Sequence, residues 1–228
     1  MALTKEQIQN NKDKFISLIR SIHREGANLE GLVKKLESSD FFYAPASAQY
    51  HCCYEGGLCE HSLNVYEQLV KIIESECTVA FSDDTGTSYL YEKTDTVFDS
   101  ESLKIVGLLH DFSKMNFYEP TVFNKKVYSE TGSKFDEQGK YDWVSQKSYK
   151  VKDRDDRFLF GTHGQNSEYM TGSYIPLKLE ESVALIWHMG GMDNQNAVTE
   201  VSNIYNRYPL AVLIHMADML ATYLDERI

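Results

Sequence analysis

The segment SLKIVGLLHDFSK, residues 102–114, predicts an apolar helix that places His110 and Asp111 at its C-terminal end. Asp99 or Ser100 can cap the start of this helix, because their side chains accept hydrogen bonds from free backbone N–H groups. The apolar positions cover the whole circumference, which is typical of a helix that runs through a protein core. They are Leu103, Ile105, Val106, Leu108 and Leu109.

Asp111 needs a compensating charge in this position. Burying a carboxylate costs several kcal/mol unless a cation or a full set of hydrogen-bond donors meets it. No arginine lies nearby in the sequence, so we expect a metal ion. Lys114 follows closely enough for His110, Asp111 and Lys114 to face one cleft. The alternative for Lys114 is a solvated lysine that favours the negative end of the helix dipole.

A second buried acid is predicted at Asp218, inside the apolar stretch LAVLIHMADML, residues 210–220. Imidazole nitrogens and carboxylate oxygens from separate helices are the usual ligands of catalytic transition-metal sites that keep positions open for water. A single histidine on an apolar face is more often an ordinary core residue. Five of the seven histidines nevertheless lie beside apolar residues or glycine turns: His61, His110, His163, His188 and His215.

Apolar positions at helical spacing recur along the chain and predict a mostly α-helical protein. Thr4 and Gln7 form a capping box at the first helix, and Asn28 can cap the second. Residues 81–100 are rich in Ser, Thr and Asp and predict a loop or a small ornament. Apolar residues alternate between about 120 and 160 and predict a β-hairpin insertion. Helices are predicted at about 4–22, 28–36, 57–76, 164–172, 179–189, 198–206 and 209–226.

Length and composition indicate an ordinary globular protein, with 228 residues of which 42% are apolar and 25% charged. A prior of about 150 residues per domain favours one elaborated domain. No apolar stretch approaches the ~20 residues of a membrane span, and the first ten residues are too polar for a signal peptide. We therefore expect a cytoplasmic protein with no membrane partner.

The net charge is −11, from 34 acidic and 23 basic residues, so the surface repels polyanions and no duplex nucleic acid is expected as a partner. Any phosphate must meet a local cationic site. A basic run at residues 147–157 interleaves with aromatic residues and can hold a phosphate while a nucleobase stacks. A solvated strand face with alternating side chains explains the same pattern.

The four cysteines show none of the CxxC spacing of zinc knuckles or redox pairs, and we predict reduced thiols. The alternative is a zinc cluster of His51 with three cysteines, which would have to converge around the turn at residues 56–57. Its cysteines would be Cys52, Cys53 and Cys59.

Five segments together resemble the HD-domain superfamily of metal-dependent phosphohydrolases. They are GGLCEHSLNV (56–65), LLHDFSK (108–114), GTHGQNSEYM (161–170), IWHMGG (186–191) and HMADMLA (215–221). The resemblance covers roughly residues 41–226. It implies a single HD-type domain over residues 1–228, with N-terminal helices in 1–40 and an HD-type helical bundle in 41–226 that carries the hairpin insertion.

The resemblance also implies the metal ligands. The shared pattern is a histidine, a His–Asp doublet and a distant aspartate, which correspond here to His61, His110, Asp111 and Asp218. Members that hold two metals add two histidines, and His163 and His188 stand at similar positions. By this analogy Asp111 bridges two ions. Lys114 neutralises a phosphoryl oxygen as an electrostatic donor.

The implied activity is hydrolysis of a nucleotide or another small phosphate ester by metal-activated water. Two divalent transition-metal ions are expected, Mn, Fe, Ni, Co or Zn, with Mg as a further candidate, since the same ligands suit all of them. His51 follows a segment similar to the entry loop of HD proteins, although a plain loop histidine is the alternative. The predicted substrate-binding residues are Lys114, His51, Tyr141, Trp143, Lys147 and Arg154.

Three other functions stay open for this ligand set. One is a phosphodiesterase or exonuclease on short single-stranded nucleic acid. Another is a mixed-valence di-iron oxygenase, because HD-type enzymes such as myo-inositol oxygenase resemble the same six-ligand pattern. The third is a binding module that keeps a metal without turnover. The oligomeric state is equally open.

Overall fold

The computed structural model describes residues 2–84, 86–157, 160–192 and 198–226, without the side chains of Arg154 and Val198. Within these ranges the helices are α1 (Lys5–Arg20), α2 (Leu29–Glu37), α3 (Gly57–Glu76), α4 (Ser100–Leu109), α5 (His163–Gly172), α6 (Leu179–Trp187), α7 (Val198–Arg207) and α8 (Pro209–Leu220). Short 3₁₀ turns lie at Phe112–Lys114 and Arg154–Asp156, and a π-helical turn, Ala221–Asp225, continues α8.

The prediction of a mostly α-helical bundle is wrong. The chain is 49% helix and 20% strand, and the strands form two three-stranded antiparallel sheets. The first sheet has the order β1-β2-β3, with β1 at Thr78–Asp83, β2 at Gly86–Tyr91 and β3 at Thr96–Asp99. The second has the order β4-β6-β5, with β4 at Tyr118–Tyr128, β5 at Lys134–Asp136 and β6 at Gly139–Val151. The fold is therefore a mixture of helix and sheet.

The first sheet occupies the stretch that was predicted as a loop or ornament. Its many Ser and Thr residues favour a loop, but Thr is also a good strand residue, and Thr78, Thr87 and Thr96 lie in β1, β2 and β3. Val79 and Phe81 are exposed on the edge strand β1, whereas Phe98 of β3 is buried against the helices. Because only one face of this sheet contacts the core, its sequence lacks a strong apolar signal.

The second sheet confirms strands in the region predicted as a β-hairpin, and β5 adds a third strand. β4 and β6 pair without interruption from Tyr118 opposite Val151 to Tyr128 opposite Tyr141. Most of its large apolar side chains are exposed, among them Val122 and Phe135. The sheet is thus a long ribbon, which we call the β4–β6 ribbon.

The helices confirm the periodicity of the sequence, including the capping box of Thr4 with Gln7 and the N-caps at Asn28 and Asp99. α4 is the central helix, as its apolar circumference predicts. Its Leu108 packs into a cluster with α1 and α2, and its Val106 packs into a second cluster with α3, α6 and α8. A membrane crossing would need a longer apolar helix than any in the described part of the chain.

The close approach of α3 to α4 depends on Gly107, which lies three residues before His110 in the sequence. A Cβ atom placed at Gly107 would lie 2.8 Å from the Cα of Tyr66 on α3. Backbone atoms cannot rotate away from such a clash, so the two helices would have to separate.

We expect Gly107→Ala to destabilise the protein by about 1–3 kcal/mol, as overpacking of a tight core does. The same substitution at Gly172, near the end of α5, is the control, because the nearest atom to its added Cβ would be Leu177 Cδ1 at 3.7 Å. Gly172→Ala should be neutral or stabilising by up to ~1 kcal/mol, since alanine favours helix. Urea denaturation of both variants measures the difference, and equal stabilities would contradict the role of Gly107.

Candidate metal centre

The structure brings together the six side chains predicted as metal ligands. His61 lies on α3 and Asp218 on α8. His110 and Asp111 follow the last residue of α4, His188 follows α6, and His163 is the first residue of α5. All are buried except His163, which is partly exposed.

His110 and His188 are held by the same kind of local hydrogen bond. Each is the residue that ends its helix, and its Nδ1 donates to the carbonyl oxygen three residues earlier. The distances are 2.9 Å from His110 to Gly107 O and 2.7 Å from His188 to Leu185 O. The last carbonyls of a helix lack intrahelical partners, so the imidazole completes them. Because a carbonyl only accepts, Nδ1 carries a proton, and in the neutral ring Nε2 presents a lone pair.

His61 has the same tautomer for a different reason. Its Nδ1 lies 3.0 and 3.1 Å from the two carboxylate oxygens of Glu226, which also accepts from Asn64 Nδ2 at 2.9 Å. His61 Nε2 therefore faces inward, 3.3 Å from His110 Nε2. Two unprotonated nitrogens at that distance repel each other unless a proton or a cation lies between them.

His163 completes a second pair. Its Nδ1 lies 3.0 Å from Ser113 Oγ, and its Nε2 lies 3.0 Å from His188 Nε2. Ser113 itself is fixed by Ser167, whose Oγ accepts from the Ser113 N–H at 3.1 Å. Both imidazole pairs thus direct their Nε2 atoms toward Asp111.

Each carboxylate oxygen of Asp111 lies near a different imidazole pair. Oδ1 lies 2.7 Å from His163 Nε2 and 3.6 Å from His188 Nε2. Oδ2 lies 3.5 Å from His61 Nε2 and 3.6 Å from His110 Nε2. Its backbone, at φ −104° and ψ 18°, lies in the bridge region that many active-site residues adopt.

Three groups of three side chains in the described ranges lie close enough together to hold a metal ion, and one of them is His51, His61 and Glu226. The other two contain the six predicted ligands. One is His61, His110 and Asp218, and the other is Asp111, His163 and His188. Asp218 Oδ1 lies 3.4 Å from His61 Nε2. This donor set of imidazole nitrogens and carboxylate oxygens fits a divalent transition metal and does not by itself choose among such metals. In the described ranges, the groups that can hold a metal contain no cysteine, and all four cysteines are free thiols.

Electrostatics in the cluster favour a cation. Burial opposes ionisation of Asp111, but the charges of Lys114 and the imidazoles hold its pKa well below the usual range. Burial likewise opposes ionisation of Asp218 and Glu226, yet contact with His61 lowers the pKa of both, that of Glu226 to about 2. Three carboxylates are therefore ionised side by side in the protein interior.

The pKa values of His110 and His61 shift in opposite directions in this cluster. Burial lowers the pKa of His110 to about 3, so its ring is neutral. Burial also opposes the charged form of His61, but Glu226 and Asp218 raise the pKa of His61 to about 10. In the absence of a metal, a proton on His61 thus relieves the crowding of lone pairs, and a metal ion would replace that proton.

A cavity of about 440 Å³ opens over this cluster. Lys114 and His51, both predicted to bind substrate, line it together with Asp218 and Glu226. Lys114 Nζ lies 2.6 Å from Asp111 Oδ2. The His51 ring centroid is 4.7 Å from that of His61, and His51 Nε2 is buried with no hydrogen-bond partner in the described part of the chain.

Three of the other four residues predicted to bind substrate do not line the cavity. Tyr141, Trp143 and Lys147 lie on β6 of the ribbon, and none of them lines the cavity. Trp143 and Tyr141 instead surround Lys126, whose Nζ is 4.4 Å from the Tyr141 ring centroid. The side chain of Arg154 lies outside the part of the chain that the structure describes.

Two residues that hold the cluster were not predicted from the sequence. Glu226 follows the polar end of α8 in the stretch LDER, residues 224–227, which has no apolar pattern to indicate burial. Ser113 lies in the HDFSK motif, but nothing in its type distinguishes it from a solvated serine. His215, one of the five histidines beside apolar residues, donates from Nδ1 to His188 O at 2.6 Å.

Comparisons of this chain with protein-family models, with curated proteins and with solved structures find no match. The likeness to the HD superfamily therefore rests on the sequence motifs.

Metal binding is the direct test of the cluster. We expect purified protein, dialysed against Mn²⁺ and then against buffer, to retain the metal in elemental analysis. Asp111→Asn should bind Mn²⁺ at least about 100-fold more weakly, because it removes the carboxylate that both imidazole pairs face. His23→Ala, at an exposed histidine outside the cluster, should bind like the unchanged protein. Equal metal retention by Asp111→Asn and His23→Ala would contradict the assignment.

Glu226 gives a second test, because it touches no predicted metal ligand except His61. Glu226→Gln should weaken Mn²⁺ binding about tenfold, since the carboxylate both orients His61 and increases the basicity of its Nε2. Asp225→Asn is the matched control, at the neighbouring acid, which is exposed and bonds Gln68 instead. Titration of metal-free protein with Mn²⁺ measures both affinities, and an unchanged affinity for Glu226→Gln would refute this role.

Proposed function

We propose that the protein is a metal-dependent phosphohydrolase whose site is similar to that of the HD superfamily. The observation that carries the proposal is the convergence of two Nε2 pairs on the two oxygens of Asp111. Such a carboxylate is suited to bridging two ions, each held on its other side by imidazoles.

The residues that would hold the two ions follow from the distances. His61, His110 and Asp218 would hold one ion, and His163 and His188 the other, with Asp111 shared. Two divalent ions lower the pKa of bound water and withdraw charge from a phosphoryl group. Mn, Fe, Co, Ni or Zn would suit these ligands, with Mg as a further candidate.

Lys114 is the one lysine or arginine among the described residues that line the cavity. Burial opposes its charge, but the neighbouring Asp111 raises the pKa of Lys114 above its usual value, so it stays protonated. It lies in the cavity wall, where its ammonium group can donate to a phosphoryl oxygen whose charge grows during hydrolysis. It acts as an electrostatic donor and not as a base.

The cavity favours a small substrate with an apolar part. Besides the charged residues, its wall includes Met189, Met219 and Tyr223. Methionine and tyrosine pack well against flat rings, which fits the base of a nucleotide. The net charge of −11 disfavours a long nucleic acid, although a short single strand remains the second candidate within hydrolases.

Phosphate release from a panel of nucleotides, cyclic nucleotides and dinucleotides, each with Mn, Fe, Co, Ni or Mg, tests the activity. Asp111→Ala should abolish metal-dependent release. Lys114→Ala should lower turnover about 100-fold with metal retained, because it removes a donor to the transition state. Lys71→Ala, at an exposed lysine of α3 outside the cavity, should have no effect.

Two outcomes would overturn this proposal. Oxygen consumption by the ferrous protein, without phosphate release from any substrate, would indicate an oxygenase. Full activity of Asp111→Ala would show that the hydrolysis does not use this cluster.

A further inference from the structure

A second hollow lies on the other side of the 3₁₀ turn that follows Asp111. Its volume is about 400 Å³, and it is bounded by the end of α2, the turn itself, residues 156–157 and α5. Phe112 and Ser113 of the turn line this hollow, whereas Lys114 lines the cavity over the metal cluster. The two spaces are therefore separate, and the mechanism above uses only one of them.

Aromatic rings form much of the wall of this hollow. Phe117 and Tyr174 are each partly exposed, and Tyr169 of α5 contributes a third ring. Partly exposed rings around a concave surface are typical of small-molecule sites, where they bind a flat apolar group.

Two cations in the same wall have no ion-pair partner in the described part of the chain. The Arg157 guanidinium lies over the Phe117 ring, 5.1 Å from its centroid, and its Nε is buried without a hydrogen-bond partner there. Lys35, at the end of α2, is exposed and forms no salt bridge with the described residues. An arginine fixed on a ring presents planar donors that match a phosphate or carboxylate.

The hollow also contains one acid, Asp156. A carboxylate there would repel a purely anionic ligand but accepts hydrogen bonds from amino or hydroxyl groups. The combination of rings, two cations and one acceptor fits a ligand that joins a phosphate to a flat ring with N–H or O–H groups.

We propose that this hollow binds a small anionic aromatic molecule of the nucleoside monophosphate class, at a site distinct from the metal cluster. Its phosphate would meet Arg157 and Lys35, and its ring would pack against Phe117 and Tyr174. The proposal does not depend on the hydrolase activity, because binding here needs neither the metal nor Lys114.

Calorimetric titration of metal-free protein in EDTA with AMP is the test, since hydrolysis is then suppressed. We expect saturable binding in the millimolar range or tighter, and weaker binding of both adenosine and ribose 5-phosphate, which each lack one half of the ligand. Arg157→Gln should weaken AMP binding about tenfold, because it removes charge-assisted hydrogen bonds. Lys35→Ala should weaken it about threefold, as expected for an exposed ion pair.

Matched controls separate this site from general charge effects. Arg207 also lies over a ring, 5.6 Å from the Tyr208 centroid, but outside the hollow, so Arg207→Gln should leave AMP affinity unchanged. Lys34→Ala, beside Lys35 on α2 and outside the hollow, should behave likewise. Thermal unfolding of each variant checks that it folds. If Arg157→Gln does not fold, the AMP affinity of Lys35→Ala still tests the proposal.

Two results would overturn the proposal. One is the absence of saturable AMP binding in the millimolar range. The other is AMP binding that Lys114→Ala abolishes while Arg157→Gln and Lys35→Ala preserve it, which would place the nucleotide in the cavity over the metal cluster.

Discussion

The structure depends on how an apolar core accommodates several ionised carboxylates. Asp111 is buried just after the apolar helix α4, and Asp218 and Glu226 both lie close to His61. Lys114 compensates one of these charges, and a proton on His61 can compensate another. Buried charges without partners cost several kcal/mol each, so a cation that fits between the imidazoles would stabilise the cluster.

Helix ends make this arrangement possible without strain. A helix leaves its last carbonyls without partners, and His110 and His188 supply the missing donor through Nδ1. The same hydrogen bond fixes the tautomer and directs Nε2 into the cluster. One local interaction therefore completes the helix end and orients the imidazole, and it accounts for the place of both histidines directly after a helix.

The sequence predicted the helices well because burial of one apolar stripe leaves a clear period, as on α1 and α3. It did not predict the first sheet, whose strands have few buried side chains, and so the mostly α-helical interpretation was wrong. Five of the six predicted metal ligands lie within or just after a helix with a clear apolar face, whereas His163 begins α5, whose buried residues are mostly polar or small. Glu226 could not be predicted in this way, because the polar sequence around it does not indicate that its side chain is buried.

The ribbon shows the limit of reasoning from proximity in sequence. Tyr141 and Trp143 lie about thirty residues from Asp111 and combine rings with lysines, yet the strand pairing carries them away from the cavity along the ribbon. The short 3₁₀ turn at Phe112–Lys114 has the opposite effect. Its successive side chains point to two separate hollows, and Ser113 Oγ, on one side, bonds His163 Nδ1. A shift of Ser113 would therefore move His163, a predicted metal ligand, through one hydrogen bond, so the two separate hollows share a contact.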